Sequence, residues 1–272
     1  MKTIVIGVGE NKNIVEAAKK IGAKNKEINF IFTSSEKELL TLFLEKKADS
    51  YVRGSLSASS VMKHLKSCSS KEENNYEITE NDKVFENSSC INQEFANNGN
   101  ANGEKINRAS FIKLYDNCFL LAPVGIDEGQ NIEDKMIIVD QACEFLKKIG
   151  KEPKIGILSG GRSQDLGRSP QIDKSIMDGE KLTSMIKHKY SVKHYYILIE
   201  DAINDKCNLI LAPDGISGNL IFRSLVLVGS AESYGAITLG IDQIFIDTSR
   251  SQSIEGYIRA INFAHYLAKL KM

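Results

Sequence analysis

The chain has 272 residues, with 35 Lys and Arg balanced by 35 Asp and Glu, so its formal net charge is zero. That balance lacks the basic surplus of a general nucleic-acid binder. Its 42% apolar and 26% charged residues are the composition of an ordinary globular chain. No apolar run approaches the roughly 18–20 residues of a membrane span, so neither nucleic acid nor membrane is an expected partner. The five cysteines, Cys68, Cys90, Cys118, Cys143 and Cys207, are odd in number and form no CxxC pair. They argue against a disulfide framework or a zinc finger and for reduced thiols in a cytoplasm. Cys118 and Cys143 lie in apolar stretches and read as buried. His64, His188, His194 and His265 are scattered, and no metal site is expected.

The opening MKTIVIGVGE reads as a strand, Lys2–Val8, rather than a signal peptide. Asn13–Ile21 carries Ile14, Val15, Ala17, Ala18 and Ile21 at helical spacing. A strand follows over Ile28–Phe32, a helix over Glu36–Lys46, a short strand over Ser50–Val52 and a helix over Ser59–Lys66. Residues 67–107 contain 10 Asn and 5 Ser with few apolar side chains, which predicts a flexible insertion. Beyond it come a strand at Phe119–Pro123, a helix at Glu133–Ile149 and a strand at Lys154–Leu158. Helices are expected at Ser175–Lys187 and Ile197–Asn204, then a strand at Leu209–Ala212 and a helix at Leu220–Val228. A strand at Gln243–Ile246 and a helix at Ile254–Leu270 close the chain. The alternation predicts an α/β fold of three layers around a mostly parallel sheet. Sites in such sheets lie beyond the carboxyl ends of the strands.

Four loops in that position carry chemistry. Gly7-Val8-Gly9 lacks the third glycine of a dinucleotide fingerprint and reads as a tight turn. Arg53-Gly54-Ser55 offers backbone N–H groups and hydroxyls to an anion, or simply caps the next helix. Ser159-Gly160-Gly161-Arg162-Ser163 joins two glycines to a guanidinium able to grip phosphate or carboxylate, or else is a flexible loop with a solvated Arg. The last two segments, Asp214 to Asn219 with Ser217 and Gly218 between them, and Thr248-Ser249-Arg250, repeat the pattern of hydroxyl, donor and helix start. Asp214 reads first as a helix cap or turn, with metal ligand and acid–base group as alternatives.

These segments resemble phosphate acetyl/butyryltransferases. Residues 213–250 carry that family's Pro-Asp, Gly-Asn, Gly and Ser-Arg at Pro213, Asp214, Gly218, Asn219, Gly240, Ser249 and Arg250. ADSYVRGS (48–55) and KIGILSGGRS (154–163) match two further motifs. More narrowly, APDGISGNLIFRSL, the Gly-Gly-Arg after Ser159 and DTSRS look like the MtxX family. That family is also called methanogen marker protein 4 and is labelled a methyltransferase subunit of methanogenic archaea. The resemblance implies a phosphotransacetylase-like (isocitrate dehydrogenase-like) fold with two subdomains and a cleft. Residues 1–150 would form the first subdomain and 151–250 the second. Residues 251–272 would be a helix packed on the first.

The resemblance also implies that Arg250 and Ser249 hold a small anionic metabolite, a phosphate, acyl phosphate or carboxylate. Arg162 would be a second clamp, and Gly218 and Asn219 would be donors. The acyltransferase family's base falls at Gly256 in an ungapped match, with Glu255 beside it as the substitute. Glu255 and Asp214 are therefore the catalytic candidates. No cofactor is evident from the residues; coenzyme A or a methyl donor is implied. Three functions follow. They are a methyltransferase component of methanogenic one-carbon metabolism, a phosphate acyltransferase acting on coenzyme A thioesters, and a metabolite-binding or partner protein without turnover. A homodimer and other methyltransferase subunits are the expected protein partners. Deleting residues 70–105 is expected to lower the thermal midpoint by less than about 10 °C; a larger drop would mean that the segment contributes packing.

Overall fold

The computed structural model describes residues 1–67 and 105–270. The Asn- and Ser-rich segment expected to be an insertion lies almost wholly outside the described residues, together with Cys68 and Cys90. The chain forms two compact units, one of Met1–Ile106 with Gly240–Met272 and the other of Asn107–Leu239.

The first unit is a parallel sheet in the order β2-β1-β3-β10. Its strands are β1 (Lys2–Gly7), β2 (Ile28–Thr33), β3 (Ser50–Val52) and β10 (Phe245–Asp247). The helices are α1 (Asn13–Lys24), α2 (Glu36–Leu44), α3 (Ala58–Ser67) and α8 (Ile254–Lys269). Strand alternation sends Val5, Tyr51 and Phe245 into a core with Leu39, Leu40 and Phe43 of α2 and Val61 and Leu65 of α3. The opposite face is covered by α1 and α8, which pack on each other, α8 against β1 and β3 and α1 against β2. Helices thus flank the sheet on both sides. Phe43 meets Tyr51 and Phe245 edge to face at 5.2 and 5.7 Å. The buried Tyr51 hydroxyl donates to the Leu42 carbonyl at 2.9 Å and accepts from the Ala48 N–H at 3.0 Å.

The second unit has the order β9-β4-β5-β8-β6-β7. Its strands are β4 (Asn107–Leu114), β5 (Asn117–Ala122), β6 (Lys154–Leu158), β7 (Ser191–Tyr196), β8 (Leu209–Leu211) and β9 (Glu232–Leu239). β4 runs antiparallel to both of its neighbours, β9 and β5; β5, β8, β6 and β7 run parallel. The helices are α4 (Ile132–Lys148), α5 (Pro170–Ile186), α6 (Ile199–Asn204) and α7 (Gly215–Phe222), the last continuing as a π-helical stretch, Arg223–Val228. Phe119, Leu121, Ile210 and Leu158 form a core with α6, α7 and the π segment.

The sequence expectations differ from the structure in several places. β4, β7 and β9 were not expected. Helix α7 begins at Gly215 rather than at Leu220, because Asp214 caps it, accepting from the Ser217 N–H at 2.8 Å. Cys118 is exposed rather than buried, since alternation at the start of β5 turns it away from the buried Phe119. The units divide at Ile106 and Leu239 rather than near residues 150 and 250. The reason is strand pairing: β5 joins β8 in register from Leu120 to Ala122, and β10 returns to pair with β3.

Replacing Tyr51 with Phe leaves the Leu42 carbonyl and Ala48 N–H without their partner in the core. The expected loss is about 1–3 kcal/mol in a urea unfolding curve, with the m-value unchanged.

Candidate functional site

In the first unit three parallel strands, β1, β3 and β10, end side by side, and the loops after them interlock. Arg53, the first residue past β3, is only 2% exposed. Its guanidinium donates to the Asp247 carboxylate and to the carbonyls of Leu56 and Thr248. Every edge of the fork is occupied by protein. The expectation that Arg53 faces an anion is therefore corrected: it is a buried brace between the ends of β3 and β10. Gly54 sits at φ +64°, where an added Cβ would lie 1.9 Å from the Gly7 carbonyl oxygen, and its own carbonyl accepts from Thr248 Oγ1 at 2.8 Å. The Ser55 hydroxyl accepts from the Gly9 N–H at 2.8 Å and donates to the Asn11 carbonyl at 2.7 Å. Gly54, Ser55 and Thr248 thus shape the loops. Gly7 and Gly9 likewise close on the carbonyls of Arg53 and Ser55, as a tight turn would.

The next loop is held from below. Tyr257 of α8 donates its hydroxyl to the Ser249 carbonyl at 3.0 Å, and burial pushes this phenol up to about 12, so it stays a donor. Asn11 donates to the Arg250 carbonyl at 2.9 Å, and Asn13 to the Gln252 carbonyl at 3.3 Å. With the backbone pinned, the side chain of Arg250 stands exposed, and its guanidinium has no partner among the described residues. Ser249 is half-buried, its hydroxyl 3.0 Å from that of Ser251. Glu255 is exposed in the first turn of α8, two residues past the Ser253 cap. Gly256 is buried under the Gln252 side chain.

In the second unit the loops after β6 and β8 carry the remaining candidates. Ser159 is buried, with its hydroxyl 3.2 Å from the Gly161 carbonyl and 3.0 Å from His194 Nε2. Burial holds the His194 imidazole below its usual pKa, which favours the neutral ring. The Gly160 N–H donates to Ser175 of α5 at 2.8 Å. Arg162 and Ser163 are exposed at the start of a short 3₁₀ turn, Ser163–Asp165. Asp214 is the cap of α7, as its sequence context favoured.

Gly218 and Asn219 are corrected from ligand donors to packing residues. A Cβ on Gly218 would lie 1.9 Å from the Pro123 carbonyl oxygen, and Asn219 donates to the Val124 carbonyl at 3.0 Å. The 123–131 loop that they meet is itself braced by Glu128, which is 2% exposed and accepts from Arg108 Nε at 2.9 Å. The peptide bond before Pro123 is cis. No role for Asn11 or Asp247 is legible in the sequence, because their partners, Arg250 and Arg53, lie far along the chain. Among the described residues no group of three His, Cys, Asp or Glu side chains could hold a metal ion, and no helix is long and apolar enough to cross a membrane.

The architecture is that of the phosphotransacylases. A branched-chain phosphotransacylase from Enterococcus faecalis superposes with a TM-score of 0.69 at 17% identity, covering 98% of this chain and 99% of that one. A phosphotransacetylase from Streptococcus pyogenes gives 0.56 at 15% identity over 98% and 94%. Sequence relatives narrow the class. The chain is 36% identical over 240 residues to a Methanosarcina barkeri protein provisionally named methyltransferase mtx subunit X, covering 87% of this chain and 76% of that one. It is 35% identical over 265 residues, 95% of each chain, to an uncharacterized methyltransferase of Methanocaldococcus jannaschii. The chain belongs to this MtxX family of methanogens. No protein-family model matches it.

The two arginines are expected to separate cleanly on mutation. Arg53→Met leaves Asp247 buried without its cation and should cost about 3–5 kcal/mol. Arg250→Ala should change stability by no more than about 0.5 kcal/mol. Urea unfolding of both variants checks the pair.

Proposed function

We propose that this chain is a methyltransferase component of methanogenic one-carbon metabolism that holds the anionic group of a small metabolite on Arg250 and Ser249. Membership of the MtxX family along nearly the whole chain carries the reading. The chemistry of the loop supports it. A guanidinium with no partner among the described residues, on a backbone fixed by Tyr257 and Asn11, is preorganised for a planar, two-point grip on a phosphate, acyl phosphate or carboxylate. Arg162 and Ser163 are the second proposed contact, again exposed and without an ion-pair partner among the described residues. The proposed co-substrate is a methyl donor or coenzyme A, and the location is the cytoplasm. Other methyltransferase subunits are proposed partners, in keeping with the relatives' names. So is a second copy of this chain, supported by the exposed Ile216, Leu220, Leu227 and Val228 along α7 and the π segment.

Phosphate acyl transfer is the second reading, favoured by the superposition on a phosphotransacylase. It needs a base to deprotonate the thiol, and Glu255 is the carboxylate in reach of that role on sequence grounds. If acyl transfer occurs, Glu255→Gln should lower its rate by about 10²–10⁴.

A thermal-shift panel decides between them. Phosphate, acetyl phosphate, coenzyme A, acetyl-CoA, S-adenosylmethionine and methanogenic coenzymes are each tested on the wild type and on Arg250→Ala. A ligand near 100 times its Kd should add about 2.7 kcal/mol to wild-type stability and nothing to the variant. A response confined to a methyl donor or a methanogenic coenzyme supports the methyltransferase reading. A response to coenzyme A and acetyl phosphate, with turnover, replaces it with the acyltransferase. Silence across the panel overturns both in favour of a subunit that acts through a protein partner.

A further inference from the structure

His194 sits where three structural costs meet. It stands on β7 where the pairing with β6 slips: Ile157 pairs with His194 and Leu158 with Tyr196, which leaves Tyr195 as the extra residue of a bulge. Tyr196 takes φ +58°, a left-handed conformation that is an outlier for a bulky side chain, and stacks on the imidazole with ring centroids 4.1 Å apart. Helix α5 makes room for the ring with a glycine in its middle, Gly179, where an added Cβ would lie 2.6 Å from His194 Nε2. A glycine inside a helix is destabilising. His194 Nδ1 is itself enclosed, without a hydrogen-bond partner among the described residues. Backbone strain of this kind gathers at functional sites, and a buried orphan nitrogen calls for a reason. An apolar side chain would fill the same space without that orphan, so packing alone does not account for a histidine here.

The ring holds a loop. The buried Ser159 hydroxyl donates to the Gly161 carbonyl at 3.2 Å, so towards His194 Nε2, 3.0 Å away, it is an acceptor. The ring is therefore neutral, with its proton on Nε2 and a bare lone pair on Nδ1. The same loop is tied by the Ser159 N–H to the Tyr196 carbonyl at 2.7 Å and by the Gly160 N–H to Ser175 of α5 at 2.8 Å. Arg162, the second proposed anion contact, follows directly, its N–H donating to the Asp165 carboxylate at 2.8 Å.

A second proton could enter only at Nδ1, creating a buried N–H with no acceptor. The surroundings offer little to offset this. On β6 the neighbours are Ile157, the register partner, and Ser159, and neither carries a charge. From α5 comes Glu180, whose charge favours protonation less than burial opposes it; it is exposed, with the Tyr196 hydroxyl 3.5 Å away. Helix α6 packs instead on Tyr195, through Ala202 and Ile203, and Lys193 of β7 pairs with Asp205 at 2.9 Å.

We propose that His194 is the positioning residue of the Arg162 loop, fixing Ser159–Gly161 while its ring is neutral and releasing them when the ring takes a second proton. The proposal rests on the functional reading above only for the role of Arg162. Its sign follows from the lowered pKa of the ring. The hold is complete above the ordinary imidazole value of 6.5 and is lost as pH falls through the lowered one.

The test is amide hydrogen exchange of the full chain, followed by NMR from about pH 7.5 to about pH 4.5, a range that brackets histidine titration. Protection factors are read at Ser159, Gly160 and Arg162, and the amides of Ile155–Ile157 in β6 report opening of the whole unit. Wild type is compared with His194→Gln, which keeps an N–H donor but cannot titrate, and with His194→Phe, which keeps a ring but has no donor. Near neutral pH, His194→Gln should match wild type, while His194→Phe should lose about tenfold in loop protection, the scale of one hydrogen bond, with β6 unchanged. Towards the acid end, wild type should fall to the level of His194→Phe, in step with the titration of its own imidazole resonances, and His194→Gln should not. Equal loop protection in wild type and His194→Phe at every pH would overturn the proposal. So would an acid loss that His194→Gln shares, or one that does not follow the His194 ring. If His194→Phe fails to fold, the comparison of wild type with His194→Gln decides. If both variants fail, the match between loop opening and ring titration in wild type decides. No ligand enters these measurements. An intact pH response beside a silent thermal-shift panel would remove the functional reading and leave this proposal, and ligand binding beside a pH-independent loop would do the reverse.

Discussion

The first unit depends on one buried cation. Arg53 lies where β3 stops, and its acceptors come from the far end of the chain as well as from its own loop. The Asp247 carboxylate and the Thr248 carbonyl are nearly two hundred residues away in sequence, while Leu56 is a neighbour. The Arg53 N–H also extends the strand ladder, donating to the Ile246 carbonyl at 3.0 Å. A guanidinium is the one side chain that can satisfy this set at once, being planar, always charged and a donor at every corner. A lysine would leave acceptors buried and unmet. The loops on either side then have little freedom, and Gly54, Ser55 and Thr248 are fitted to that junction. Arg250 can stand outside the core because the backbone beneath it is held by Tyr257 and Asn11.

The second unit solves a related problem with glycine instead of charge. α7 approaches the loop after β5 so closely that side chains are excluded on one face. An added Cβ would lie 1.7 Å from the Gly125 carbonyl oxygen at Gly215 and 1.9 Å from that of Pro123 at Gly218. Backbone against backbone brings the starts of α4 and α7 to one place. Glycines in a strand–loop–helix context suggest phosphate cradles when read as sequence. Here most of their freedom is used for packing, and the charged groups beside them carry whatever recognition the site performs.

That distinction explains what could be read from the chain. The parallel strands β1, β2 and β6 and the amphipathic helices α1, α2, α4 and α8 announce themselves through apolar runs or spacing, and they fall within a few residues of their expected bounds. Strands β4, β7 and β9 did not. β9, ESYGAITL, is interrupted by Gly235 at φ +91°, and β4 begins at the edge of an Asn-rich stretch. β7, SVKHYY, alternates only in part and borders a segment that reads as helix. The post-strand loops were visible as chemistry, because glycine, hydroxyl and arginine cluster there. Which of those groups turn inward was not. The inward ones, Arg53 and Ser55, are chosen by partners remote in sequence.

The return of β10 to the side of β3 has a consequence for synthesis on the ribosome. The second unit is one uninterrupted stretch and can close as soon as Leu239 has emerged. The first unit cannot. Between the emergence of Ile106 and that of Phe245, translation at about 5–20 residues per second leaves an interval on the order of ten seconds. During it the Tyr51 edge of the sheet has no neighbour, and Arg53 has neither Asp247 nor Thr248. An open strand edge is an aggregation hazard that lasts until the final strand arrives. The nascent chain therefore completes its middle before its beginning, and its earliest residues are the last to become native.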